Sequence, residues 1–180
     1  MSRYTGERVM LREVRQEDIS GMRAWATDEA ACESLGTFYV SPQTWEMTER
    51  SLSLFLNGDA SGANFVIAER ETGRYLGQIS VNMIDRIALH GELSIVMTPD
   101  SRGKGYAREG VSRMLKHAFD AMNLNRVHLK VYEDNPAAIA CYTACGFVRE
   151  GVLRQHAYHR GRYIDVICMG VLRDDWRQTH

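Results

Sequence analysis

The sequence predicts an α/β chain of the α+β kind, with a mixed, mostly antiparallel sheet of about seven strands and helices on both faces. Three observations predict it. Three strand-like runs, Asn64 to Glu69, Tyr75 to Met83 and Glu92 to Thr98, follow one another, and Thr72-Gly73 makes a hairpin turn between the first two. After Pro99 the hydrophobic period changes: Ala107, Val111, Met114, Leu115, Ala118, Phe119 and Met122 mark the buried face of one long helix. Two further strands, Phe147 to Tyr158 and Tyr163 to Leu172, close the chain around the turn Tyr158-His159-Arg160-Gly161-Arg162. A doubly wound nucleotide fold would instead alternate strand and helix throughout.

The remaining elements fit this frame. Val9 to Val14 alternates as a first strand, and an amphipathic helix runs from Glu17 to Ala26. Ser41-Pro42 predicts the start of a second helix, with serine as N-cap and proline in the first helical position. That helix ends near Leu56, at Asn57-Gly58. Arg126 to Tyr132 is rich in strand formers, and Asn135 to Ala144 is a short helix stopped by Gly146. The expected order is β-α-α-β-β-β-α-β-α-β-β, in one domain spanning residues 1–180.

Composition narrows the function classes. A chain of 180 residues can bury one substantial core. A formal net charge of -1 gives no general attraction to nucleic acid or to an anionic membrane. No apolar run approaches the roughly 20 residues that span a bilayer. The N-terminal residues Met1 to Arg8 lack the apolar core of a signal peptide, so a cytoplasmic location is expected. Cys32, Cys141, Cys145 and Cys168 show no metal-site spacing, and no metal is implied. Cys141 and Cys145 share one helix face and read as reduced core residues, against a reactive or acyl-carrying thiol.

The chemistry concentrates where the strand ending at Thr98 passes through Pro99-Asp100-Ser101 into Arg102-Gly103-Lys104-Gly105-Tyr106-Ala107, at the mouth of the long helix. A helix N-terminus presents unpaired N–H groups and a partial positive charge. Glycines there let an anion approach the backbone, and Arg102, Lys104 and Arg108 add charge. The phosphate-loop pattern fails, because Gly105 precedes Tyr106 rather than Lys and Ser or Thr. The dinucleotide fingerprint fails because Arg108 stands where its third glycine is needed.

The pattern R-x-x-G-x-A, in Arg102 to Ala107, resembles the coenzyme-A signature of the GNAT acetyltransferases. A second motif, Asn135-Pro136-Ala137-Ala138 with Cys141-Tyr142 and Cys145-Gly146-Phe147, resembles the same family. The likeness extends over nearly the whole chain, nearest to the RimJ/RimL and spermidine acetyltransferase branch. It implies acetyl-CoA as cosubstrate. The pantetheine arm would pair with the backbone of Ile95, Val96 and Met97, and the pyrophosphate would sit on amides from Gly103 to Arg108. The cofactor set is thus Ile95, Val96, Met97, Arg102, Gly103, Lys104, Gly105, Tyr106, Ala107, Arg108 and Asn135. Asn135 has N-capping as its ordinary role and a cofactor bond as its implied one. Tyr142 is the implied general acid, a phenol matched to the departing thiolate, and Glu92 the implied base or amine ligand.

Each reading has a plainer rival. Ile95 and Met97 suit an apolar strand face, Tyr142 suits simple packing, and Glu92 suits an exposed strand end. Trp25, Phe38, Tyr39 and Trp45 suit an acceptor site or, by default, a core. The acceptor that the resemblance implies is a small amine, such as a polyamine or amino sugar, or a protein N-terminal α-amino group. Glu29, Glu33, Glu46 and Glu49 would suit a polycation. A catalytically idle coenzyme-A sensor and a nucleic-acid module on Arg102, Lys104, Arg108, Arg113 and Lys116 are the rival classes, and a homodimer is the expected assembly.

Overall fold

The computed structural model describes residues 4–35, 43–57 and 62–179. Its elements are β1 (Val9–Arg12), α1 (Ile19–Ala26), α2 (Glu29–Ser34), α3 (Trp45–Leu56), β2 (Ala63–Glu69), β3 (Tyr75–Asp85) and β4 (His90–Met97). They continue as α4 (Tyr106–Asp120), β5 (Arg126–Tyr132), α5 (Pro136–Ala144), β6 (Val148–His159), β7 (Arg162–Leu172) and α6 (Arg173–Thr179). The seven strands form one sheet in the order β1-β2-β3-β4-β5-β7-β6. Every neighbouring pair is antiparallel except β4 and β5.

Strand alternation divides the core between the two faces. Leu93 and Met97 of β4 pack with Val111, Met114, Leu115 and Phe119 of α4. Val96, on the opposite face, packs with Met22, Trp25, Ala31 and Leu52 of the first three helices. Each fully buried side chain of this size stabilises the fold by about 1.5–3 kcal/mol. Trp25 donates from Nε1 to the Tyr75 hydroxyl at 2.9 Å, so it is a core residue rather than a wall of an open site.

The hydrophobic period anticipated α4, and the parallel β4–β5 pair needs such a crossover. Two other helices escaped it. α2 and α6 are short and polar, and Trp176 is the one buried residue of α6, set against Phe119 at 5.5 Å. The start of α3 also differs from expectation. Thr44 is its N-cap, accepting from the Met47 N–H at 3.2 Å, and the helix begins at Trp45. A second hydroxyl nearer the apolar run took the capping role. Ser41, Pro42, Phe38 and Tyr39 lie outside the described residues. β1 ends at Arg12, short of Val14, because Arg12 turns to a buried, doubly bonded pair with Asp18, 2.8 Å at each contact.

One feature of the sheet positions the site. β4 and β5 pair through His90↔Arg126, Gly91↔Val127 and Glu92↔His128, and there the ladder ends. Beyond it β4 continues to Met97 and β5 to Tyr132, still held by β3 and β7 on their outer sides. The sheet therefore splits into a wedge, closed at Glu92 and open toward α4 and α5. Among the described residues, no helix is long and apolar enough to cross a membrane.

Candidate active site

A cavity of about 700 Å³ fills the wedge. Its walls are the second half of β4, the glycine loop, α5 and the second half of β5, with Ala30 and Ala31 of α2 on a further side. On the β3 side Ile95, Val96 and Met97 lie opposite Ile79, Gln78 and Gly77, and along an antiparallel strand alternate residues turn their N–H and C=O to that side. On the β5 side the ladder has already stopped, which leaves their inner edge toward the cavity.

The loop is built by its own hydrogen bonds. Thr98 Oγ1 and Ser101 Oγ bond at 2.7 Å, and the Ser101 N–H donates to the Thr98 carbonyl at 3.0 Å. Gly103 and Gly105 then take left-handed φ values of 72° and 81°, which explains glycine at both positions. Gly105 is the N-cap residue of α4. It offers no side chain to the helix N–H groups, so these remain available to an anion.

Of the expected cofactor residues, Ile95, Val96, Met97, Arg102, Gly103, Gly105, Ala107, Arg108 and Asn135 all border this cavity. Lys104 and Tyr106 are not among its walls. The Lys104 carbonyl accepts from Arg8 Nη1 at 2.9 Å, and the Tyr106 ring lies 5.2 Å beneath the Arg8 guanidinium. Arg8, far away in sequence, thus joins the loop, although Glu109 balances its charge at 3.4 Å. Asn135 caps α5, accepting from the Ala138 N–H at 3.1 Å.

Tyr142 reaches the cavity from α5 and meets Phe147 edge-on at 5.8 Å between centroids. Burial pushes its phenol well above the ordinary tyrosine value, with Cys141 and Cys145 adding to the rise. It is therefore a protonated donor at neutral pH. The two cysteines of α5 part company. Cys145 is buried in the core as expected, while Cys141 borders the cavity. Cys145 is the C-cap residue, just past the last turn of α5. Sharing a hydrogen bond with Cys141, together with burial, pushes the Cys145 thiol up.

Glu92 is not a wall of the cavity; it sits at the closed end of the wedge. Its Oε2 lies 3.8 Å from His128 Nε2 and 3.8 Å from Lys130 Nζ. Burial holds His128 below the usual histidine range, with Glu92 offsetting only part of that effect. Lys130 borders the cavity. No local motif marks it, since an alternating strand supplies an outward lysine without any ligand. Among the expected acceptor carboxylates, Glu33 is bonded by Arg160 at 2.8 Å, while Glu29, Glu46 and Glu49 are exposed. Trp45 is half exposed, with Arg23 at 5.4 Å from its ring.

The profile of the family described as Acetyltransferase (GNAT) domain matches residues 8–148. An N-acetyltransferase of Bacillus licheniformis, p20, is 30% identical over 96% of this chain and 97% of its own. The spermidine N(1)-acetyltransferase of Vibrio cholerae is 33% identical over 66% of this chain and 68% of its own. A crystal structure of spermidine N-acetyltransferase from Vibrio cholerae, in complex with CoA and spermine, superimposes with a TM-score of 0.84 at 25% identity. That match covers 96% of this chain and 99% of the other.

Proposed function

Because the chain belongs to the GNAT acetyltransferase family, we propose that it acetylates the primary amine of a small molecule, a polyamine or an amino sugar, by direct attack on acetyl-CoA within a ternary complex. The observation that carries this is the wedge. An unpaired strand edge leads directly to a left-handed glycine turn at a helix N-terminus. An extended pantetheine arm fits the first and a pyrophosphate the second.

The residues divide the work. The backbone from Ile95 to Met97 aligns the arm, the amides from Gly103 to Arg108 take the pyrophosphate, and Asn135 donates its amide N–H to the arm. Tyr142 protonates the leaving thiolate. Glu92, from the closed end, binds the ammonium and accepts its proton. Holding amine and thioester together supplies much of the rate, on the order of 7–11 kcal/mol in well-oriented systems. The relatives named for spermidine support a polyamine acceptor. A single domain, a cytoplasmic setting and a homodimer, paired through edge strand β6 with its exposed Val148 and Tyr158, belong to the same proposal.

The test is incubation with acetyl-CoA and a panel of spermidine, an amino sugar and a peptide bearing a free N-terminus, followed by free-thiol release. Turnover of spermidine or the amino sugar is expected. Turnover of the peptide alone would move the acceptor to protein N-termini, and failure to bind acetyl-CoA would overturn the proposal.

A further inference from the structure

Arg102, the first residue of the cofactor motif, has one guanidinium nitrogen already committed. Nη2 donates to Asp28 Oδ1 and, at 3.2 Å, to the carbonyl of Met97. The same Asp28 oxygen accepts from the Ala31 N–H at 2.9 Å and so caps α2. One nitrogen therefore ties together the end of β4, the cofactor loop and the first turn of α2. At its other end, α2 is held by Glu33, which accepts from Arg160 Nε at 3.1 Å and Nη2 at 2.8 Å in the β6–β7 turn. Apolar anchorage of α2 is slight, since Ala31 is its buried core residue. Ion pairs thus tie both ends of α2, beside the Cys32 thiol bond to the Ala26 carbonyl at 3.2 Å and the packing of Leu35, and Ala30 and Ala31 form one side of the cavity.

We infer that Asp28 is a positioning residue for the transfer: through Arg102 it fixes α2 beside the wedge, so that the cofactor loop and the α2 wall of the cavity move as one unit. Arg102 is then a brace, and the phosphate cradle consists of the amides behind it. The inference rests on the amine acetylation proposed above. Burial by itself would raise the Asp28 carboxyl, but the bonds from Arg102 and the Ala31 N–H outweigh it and hold it low, so the pair stays ionised at neutral pH.

Asp28→Asn tests this cleanly, because asparagine caps a helix as well as aspartate does. The carboxylate charge that holds Arg102 is lost, while the cap of α2 is kept. CoA affinity is measured by calorimetry, kcat and KM are measured with spermidine, and amide exchange is followed over residues 28–35. Asp28→Asn and Arg102→Ala are each expected to raise the spermidine KM about fivefold. The double variant should be no worse than either single one, since the two act as a unit. Arg102→Lys, which keeps the charge without the bridging geometry, should fall between. CoA affinity should change by less than about threefold in each variant, and exchange in α2 should quicken equally in both single variants.

Arg102→Ala weakening CoA tenfold while Asp28→Asn leaves it intact would make Arg102 a phosphate ligand and overturn the brace. Unchanged spermidine KM and unchanged exchange in Asp28→Asn would also overturn it. Absence of CoA binding by the wild-type chain would instead count against the acetyltransferase reading. If CoA binds but spermidine is not turned over, the exchange measurement still decides the brace.

Discussion

Glu92 and Lys130 face each other across the line where β4 and β5 part, with Oε2 and Nζ 3.8 Å apart. A cation thus stands beside the carboxylate proposed to receive the substrate ammonium. Half of the Lys130 side chain is exposed, so its field is softened by solvent but still felt at this distance. Replacing Lys130 by Gln is expected to lower the KM for spermidine about threefold at low ionic strength. The gain should vanish near 0.5 M salt, where screening shortens to a few ångströms. Steady-state kinetics at two salt concentrations check it, and a salt-independent change would assign Lys130 a steric role.

Tyr142, the proposed acid, borders the cavity, and burial keeps its phenol protonated well above the ordinary range. Tyr142→Phe is expected to lower kcat about a hundredfold while leaving CoA affinity within about twofold. The wild-type rate should show no fall from Tyr142 ionisation below about pH 10. A pH–rate profile with an alkaline limb near pH 8, absent from the Phe variant, would contradict the placement.

Gly77 bears on the cofactor strand from behind. A Cβ there would lie 2.3 Å from the Val96 carbonyl oxygen and 2.8 Å from Met97 Sδ. The first of these is backbone and cannot rotate away. Gly77→Ala is expected to cost about 1–3 kcal/mol of stability. By displacing β4 it should also lower kcat/KM for acetyl-CoA by about tenfold. Urea unfolding and kinetics on the same preparation separate the two effects.

His128 links the site to stability. Because burial lowers its folded pKa, the unfolded chain binds the proton more readily. Its stabilising contribution is complete above about pH 6.5, the unperturbed histidine value, and is lost as the pH falls below it. His128→Gln should therefore flatten the drop in stability between about pH 7 and pH 5. Urea midpoints for both proteins at the two pH values give the comparison, and parallel drops would count against it.

What the sequence determined by itself is local. The periodic run from Ala107 to Phe119, the Asn135 cap and the glycine turn were legible because helix faces, caps and left-handed turns depend on neighbours within a few residues. Two motifs in order pointed Arg102 to Ala107 and Asn135 to Phe147 toward one site, and all but Lys104 and Tyr106 of the expected cofactor residues border one cavity. Tertiary structure alone decided the rest. The wedge depends on where a parallel ladder stops, which no single strand records. Lys130 stands beside Glu92 through strand register, and Cys141 rather than Cys145 meets the cavity through the angle at which α5 packs. Asp28 meets Arg102 across 74 residues of chain, and α2 lacked an apolar period to announce it. Ion pairs between distant segments form only after the core has set their distance. That is why the glycine turn was visible in the sequence and the Asp28–Arg102 pair behind it was not.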